Sequence, residues 1–573
     1  MTRVLGRGDI PEGDRMIDCV IVGYNDVDFE SYVSAVRDMG TENGAYRDLN
    51  LAFINYENKP YRSMDLMNLA HREINPGHRP FSNVDFLWPV ITYLSTYLRR
   101  RGFSVDYINL FQDEKQLFID KLRSGTVRTV VVTTTLYVWM MPIIEIVELV
   151  RTHAEGIKII VGGPYIHNQA RSLDREMLHE LLDSMGADVY VISPEGEATL
   201  ARVLQTVRAG GELTDIENLV FRAGTTMVQT AERSEQNSLA AEMVDYSLFT
   251  AEEYNGFVNL RTAKSCPFAC SFCAFPERAG GYSYLPTELV EKELDAIRQV
   301  GTVTTLTFVD DTFNVPKQRF KEVMKMMIRN GYGFRWNSYL RADHADQECI
   351  DLMAESGCEG VFLGVESGSD RILTAMNKTA RREHYMRVIP QLRAAGITAH
   401  ANVIVGFPGE TDETVRETID LIETARPDFY RAQLWYCDPT TPVWRRRAEL
   451  GIKGAAFAWS HPSMDAHTAA DWVEWMFREI TGSTWLPQYG FEPWSLYYLQ
   501  RRGMPLEQVK RFIHAFNAAV RAKLADSERT EVSPDTLSTI LAACTFNDHA
   551  IPRGVPERKP QTDSQRRLAM IVT

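Results

Sequence analysis

The chain has 573 residues, 45% of them hydrophobic and 24% charged, which places it among globular proteins of more than one domain rather than disordered or fibrous chains. A net charge of −14 argues against a nucleic-acid partner, whose phosphates call for a basic surface. The opening "MTRVLGRGDIPEGDR" has no apolar run of signal-peptide type, and no stretch supplies ~20 clean apolar residues for a membrane span. The expectation is a cytoplasmic protein with no membrane partner.

From residue 17 apolar strands alternate with amphipathic stretches. "IDCVIVGY" is followed by a polar excursion over 25–85, then by the helical pattern "FLWPVITYLSTYLRRRGF" and the strands "SVDYINL", "TVVVTTT", "KIIVGG" and "DVYVIS". This alternation predicts βαβ units and a parallel sheet over 1–205, interrupted by an insertion at 25–85. In the most apolar segment, Arg128, three threonines, Pro142 and Glu145 break the run, so it reads as strand, turn and helix. In open parallel sheets ligands bind beyond the carboxyl ends of the strands.

Residues 206–255 read as a connector with short elements of its own. The pattern restarts over 256–450, with strands at "FVNLRTA", "TLTFVD", "FRWNSYL", "GVFLGVE", "AHANVIVGF" and "DFYRAQLWY". Six consecutive βα units predict a partial (β/α)6 TIM-like barrel, giving an α/β protein overall. Residues 451–548, with amphipathic patterns such as "PLEQVKRFIHAFNAAVRAKL", read as a helical C-terminal domain. The Pro- and charge-rich stretch 549–573 reads as a disordered tail.

Three of the eight cysteines, Cys266, Cys270 and Cys273, fall within eight positions as C-x3-C-x2-C. A structural zinc site requires four ligands close in sequence, and the nearest histidines, His179 and His344, are far away. A redox dithiol would use "CSFC" and leave Cys266 unexplained. An iron–sulfur cluster held by three cysteines keeps one iron open to a substrate or cofactor. The other five, Cys19, Cys349, Cys358, Cys437 and Cys544, are scattered and read as buried or free thiols.

"CPFACSFC" resembles the signature of radical S-adenosylmethionine (SAM) enzymes, including the aromatic Phe272 before the last cysteine. The resemblance implies a [4Fe–4S] cluster whose open iron chelates SAM and cleaves it to a 5′-deoxyadenosyl radical, with Phe272 near the adenine. Polar motifs follow successive predicted strands, where barrels of this kind place their active sites. By resemblance, Asp310 or Asp311 takes the place of the family's Gly-Gly-Glu contact to the SAM amino group, from which this sequence departs. Glu366 and Ser367 match the fourth-strand contacts to ribose or methionine, and Arg341 a carboxylate partner. Gly406, Pro408 and Gly409 match the motif that lets backbone approach the adenine.

The N-terminal region resembles the cobalamin-binding domain that precedes many radical SAM barrels; a bland flavodoxin-like domain is the alternative reading. The resemblance implies that Thr133, Thr134 and Thr135 contact corrin amides, that Tyr137 and Trp139 cover a face, and that Gly162, Gly163, Glu195 and Gly196 line the passage of the cofactor's tail. The D-x-H-x-x-G motif that supplies an axial histidine elsewhere is absent.

Together the two resemblances imply a cobalamin-dependent radical SAM methyltransferase acting on a centre without a usable lone pair. "DCVIVGYNDVDFESYV", "AYRDLNLAFI", "WSHPSMDAHTAADWVEWMF" and "FEPWSLYYLQRRGM" look like segments of the P-methyltransferases of phosphinothricin tripeptide biosynthesis and their relatives. That implies P-methylation of a phosphinate, or C-methylation, of a small-molecule or peptide natural product in antibiotic biosynthesis. An electron donor such as flavodoxin or ferredoxin would serve it. Trp459, His461, Asp465 and His467 are substrate-contact candidates, with packing and capping as their ordinary alternative. Two other classes stay open: a cobalamin-dependent radical SAM oxidoreductase or rearranging enzyme, and a non-enzymatic cobalamin or redox sensor.

Overall fold

The computed structural model describes residues 16–26, 28–74, 80–84, 86–526 and 531–544. The stretch 549–573, expected to be a disordered tail, lies outside the described residues. Among those described, no helix is long and apolar enough to cross a membrane.

Two sheets, one mixed and one parallel, organise the chain. The first contains β1 (Cys19–Tyr24), β2 (Val105–Leu110), β3 (Thr129–Thr133), β4 (Lys158–Gly162), β5 (Val189–Val191), β6 (Leu219–Ala223) and β7 (Thr226–Gln229). Their order is β2-β1-β3-β4-β5-β6-β7, parallel through β5 and antiparallel at β6 and β7. β1 and β3 are apolar almost throughout because helices cover both faces of the sheet. The chain order reverses between β1 and β3, and that switch point is where such sheets receive ligands. The apolar segment around it divides as expected, into β3, a loop and the helix Met141–His153.

The stretch 206–255 does more than connect. Its β6–β7 hairpin finishes the first sheet, supplying the antiparallel edge, while Tyr246–Leu248 is a single turn.

The second sheet is an arc of β8 (Phe257–Leu260), β9 (Thr305–Phe308), β10 (Arg335–Leu340), β11 (Cys358–Glu366), β12 (Thr398–Val405), β13 (Phe429–Leu434) and β14 (Thr484–Trp485), all parallel and in chain order. The first six are the expected barrel strands. Between them lie amphipathic helices such as Thr287–Val300, which buries Val290, Leu294 and Ile297 and stops at Gly301 in the left-handed conformation.

The C-terminal region differs from a purely helical domain. It begins with three antiparallel strands, Lys453–Ala455, Ala458–His461 and Met464–Asp465, and gives β14 to the barrel arc. Its residues share one apolar core with the barrel and with the 25–85 insertion. The insertion and the C-terminal region also bond to each other: Arg47 pairs with Asp471 at 2.7 Å, and Trp494 Nε1 donates to Asn83 O at 2.9 Å. The two together wall the space between the sheets.

Candidate functional site

One cavity of about 720 Å³ receives the carboxyl ends of both sheets. From the first come Tyr24 at the end of β1, Asn25 and Asp26 after it, and Leu136–Trp139 after β3, the two strands that flank the switch point. From the barrel come the cysteine loop after β8, Asp311 after β9, Arg341 after β10, Glu366 ending β11, and Arg431 and Gln433 on β13. Residues 488–494 close one side.

Cys266, Cys270, Cys273 and Phe272 all line this cavity. Their loop is held by its backbone: Ser271 N donates to Met376 O at 2.8 Å, Val443 N to Ser271 O at 2.8 Å, and Asn377 Nδ2 to Ala269 O at 2.7 Å. Burial pushes the Cys266 thiol up, and the Cys273 thiol up to about 11. Among the described residues no three His, Cys, Asp or Glu side chains converge on one point as a single metal ion requires. A cubane cluster takes each thiolate at a different iron, so three separated cysteines on a pinned loop fit it.

Of the two adjacent aspartates, only Asp311 opens into the cavity. Enclosure and the charge of Asp310 push its carboxyl up to about 7. Asp310 is fully buried and accepts from Thr262 N at 2.7 Å and Ala263 N at 2.8 Å, so its oxygens serve the turn that leads into the cysteine loop.

Glu366 lines the cavity with φ +64, at a register irregularity in β11. A Cβ on Gly364 would lie 2.3 Å from the Glu366 carboxylate, so a side chain there would displace that carboxylate from its present position. Lys378 pairs with Glu366 at 3.2 Å and stands 5.9 Å from the Phe272 ring centre. Arg341 is committed on several sides: Asp343 takes two of its nitrogens, Thr379 Oγ1 accepts at 2.7 Å, and Phe268 lies 3.6 Å beneath it.

Other expected contacts lie elsewhere. Ser367 is fully buried, and its Oγ accepts from Ser369 N at 3.1 Å beside Thr418. Gly406, Pro408 and Gly409 do not line the cavity; Gly406 gives room to Trp459, whose Cη2 would lie 2.4 Å from an added Cβ. That places Trp459 in the core, its Nε1 donating to Trp435 O at 2.8 Å. His461 stacks on Trp459, and its Nε2 donates to Gly406 O at 3.1 Å. Asp465 caps the helix Ala466–Glu479, accepting from Thr468 N at 2.8 Å, and His467 is exposed. None of these four lines the cavity: Trp459 and His461 pack, Asp465 caps, and His467 lies at the surface.

On the first sheet, Thr133 Oγ1 donates to Val22 O and Gly23 O, and Thr134 Oγ1 to Gly162 O, which leaves those hydroxyls engaged within the fold. Thr135 lies outside the cavity lining. Protein neighbours crowd Gly163 and Gly196, where a Cβ would meet Thr134 and Val191 at 2.9 and 2.8 Å, and Gly162 less so, with Val191 at 3.2 Å. Glu195 forms an ion pair with Lys264 of the barrel. Tyr137 and Trp139 do face the cavity, Tyr137 receiving a hydrogen bond from Asn25 N at 2.9 Å.

Two features at this edge fit a large cofactor with an apolar ring and polar rim. Leu136 and Val138 are 53% and 80% exposed beside Trp139, and two buried polar atoms, His167 Nε2 in the helix Pro164–Ser172 that follows β4 and Ser193 Oγ just after β5, have no protein partner, although neither residue lines the cavity. Neither pair stood out in the sequence. Arg62, Asn402, Arg431, Gln433, Gln488, Tyr489 and Glu492 also line the cavity without any motif to announce them.

The fold and site define a protein in which a doubly wound sheet and a partial barrel with a three-cysteine loop share one chamber. A B12 binding domain model matches residues 84–204 and a Radical SAM superfamily model matches residues 260–422, so the chain combines these two domains. Their cofactors are cobalamin, and a [4Fe–4S] cluster with SAM. An uncharacterized methyltransferase of Pyrococcus horikoshii is 25% identical over 308 residues, covering 52% of this chain and 65% of that protein. The anaerobic magnesium-protoporphyrin IX monomethyl ester cyclase of Rubrivivax gelatinosus is 23% identical, covering 65% and 68%. The chain spans less than two thirds of the length of the first curated relatives it matches.

Among solved structures, the radical SAM methyltransferase TsrM of Kitasatospora setae superposes with TM-score 0.53 at 20% identity, covering 65% of this chain and 74% of that one. The cobalamin-dependent radical enzyme OxsB gives 0.55 at 15% identity, covering 81% and 77%. At these identities the likeness is one of fold.

Proposed function

We propose that the chain is a cobalamin-dependent radical SAM methyltransferase that methylates a non-nucleophilic carbon or phosphinate phosphorus. The observation that carries this reading is the single chamber shared by the cysteine loop and the β1/β3 switch point. When bound, the cofactors supply one-electron cleavage of SAM and carriage of a methyl group, and the protein positions them.

In this reading Cys266, Cys270 and Cys273 hold the cluster, with Phe272 beside the SAM adenine. Asp311 receives the SAM amino group, because it is the carboxyl of its pair that faces the chamber. Glu366 and Lys378 contact the ribose or methionine portion, and Lys378 supplements Arg341, whose fork is already shared with Asp343. Tyr137, Trp139, Leu136 and Val138 bear the corrin. Tyr339, Phe362 and Trp494 line the chamber and limit water around the reacting centre. The acceptor is a small molecule or peptide of natural-product type, and an electron donor such as flavodoxin or ferredoxin supplies the reductant.

The test is anaerobic incubation of the cofactor-loaded protein with a strong one-electron reductant, SAM carrying a trideuterated methyl, and an H-phosphinate amino acid or peptide. The expected product gains one trideuteromethyl group in place of hydrogen. A second reading, an oxidoreductase without methyl transfer, is favoured by the longer coverage of the cyclase relative. Substrate turnover with SAM cleavage and no methyl gain would select it.

A further inference from the structure

Four cationic side chains line the chamber, and three have carboxylate partners. Arg62 pairs with Asp26 at 3.1 Å and Asp65 at 2.9 Å, Arg341 with Asp343 at 3.0 Å, and Lys378 with Glu366 at 3.2 Å. Arg431 differs. Its Nε donates to Leu486 O at 3.3 Å, and its Nη2 to Pro487 O at 2.7 Å and Phe491 O at 2.9 Å. All three partners are neutral carbonyls, so they orient the guanidinium without cancelling its charge. Among the described residues no carboxylate oxygen lies within 4.0 Å of it.

Arg431 is only 7% exposed, and the surface it keeps faces the chamber. The acidic groups that feel its charge are Glu492 and Asp48. Burial pushes both carboxyls up, Asp48 to about 7, and Asp48 is already engaged by Gln488 at 2.9 Å and Tyr489 at 3.3 Å. Around Arg431 the chamber offers neutral hydrogen-bonding side chains: Asn402, its register partner on β12, with Gln433 and Gln488. A buried cation is costly unless a counter-charge meets it, and with Nε and both Nη2 hydrogens given to carbonyls, Nη1 is the nitrogen left to donate to an oxygen.

We propose that Arg431 anchors an oxyanionic group of the substrate, a carboxylate or phosphinate, within the chamber. The inference rests on the chamber being the substrate site and adds the substrate's charge class. Arg431 lies on the sixth strand of the arc and the cysteine loop follows the first, so the anchor and the cluster loop come from well-separated strands.

The experiment uses the full cofactor-loaded chain under anaerobic conditions. Benzoate and phenylphosphinate, with benzamide as the neutral control, are titrated by calorimetry into wild type, Arg431→Lys and Arg431→Gln. Iron, cobalamin and SAM affinity are measured in the same samples. Wild type is expected to prefer the anions, Arg431→Gln to weaken them at least about 10-fold, and Arg431→Lys to fall between. Benzamide binding, cofactor content and SAM affinity should not change. Superimposable anion titrations for wild type and Arg431→Gln, or no preference for anion over amide in wild type, would overturn the proposal. Loss of iron or cobalamin from wild type itself would instead fault the cofactor reading.

Should the variants not fold, 4-bromobenzoate in wild-type crystals gives the answer through the bromine anomalous signal and the carboxylate density. A carboxylate on Arg431 is expected; one on Arg341 or Lys378 would refute the assignment.

Discussion

Asp310 and Asp311 are adjacent in the chain and face opposite ways, one tied to Thr262 and Ala263 beneath the cysteine loop and the other opening into the chamber. Their replacements should therefore separate stability from binding. Asp310→Ala leaves buried donors on Thr262 and Ala263 without an acceptor and should cost about 3 kcal/mol or more, read by urea denaturation. Asp311→Asn should stay within about 0.5 kcal/mol of wild type. The same variant should weaken SAM binding at least about 10-fold, the scale of one charge-assisted hydrogen bond, read by equilibrium dialysis.

Gly406 and Gly409 both have positive φ, +97 and +96, yet only Gly406 is crowded. Gly406→Ala drives a methyl to 2.4 Å from Trp459 and 2.9 Å from Ala469, and should destabilise by about 3 kcal/mol. Gly409→Ala meets open space and should cost only the backbone strain, about 1–2 kcal/mol. Equal losses in thermal or urea unfolding would show that Trp459 can move aside.

Glu410 is fully buried, and its carboxyl accepts a hydrogen bond from Gly406 N. Burial pushes it up to about 8 from an ordinary value near 4.5. Between those values the folded chain holds a proton that the unfolded chain has lost, so this group's contribution to stability declines as pH rises from about 4.5 through about 8. Glu410→Gln keeps an acceptor and removes the ionisation. The variant should show a smaller fall in Tm between pH 5 and pH 8 than wild type, measured by calorimetry; parallel profiles would contradict the burial argument.

Much of the frame was legible because its signals are local. Short continuous apolar runs such as "TVVVT" and "FVNL", amphipathic helices with glycine stops, and the C-x3-C-x2-C spacing each depend on a few neighbouring residues. The short strand Thr484–Trp485 was missed because two residues have no period, and its existence depends on pairing with Phe429 and Tyr430. Arg431 could not be singled out either, since its distinction lies in carbonyls 55 to 60 positions away. In the opposite direction, Trp459, His461 and the "VGFPGE" glycines drew attention as functional types. The structure uses them on one another: the tryptophan fills the space that Gly406 leaves, and the histidine donates to Gly406 O.

The central claim is that one chain holds two cofactors through separate sets of residues. The measurement that tests it most directly is iron, sulfide and cobalamin content in one anaerobic preparation, wild type beside the variant with Cys266, Cys270 and Cys273 all changed to Ala. The account predicts about four irons and one cobalamin per chain in wild type, and loss of iron with cobalamin retained in the variant. Iron without cobalamin after cobalamin supplementation, or iron that survives the triple replacement, would contradict it.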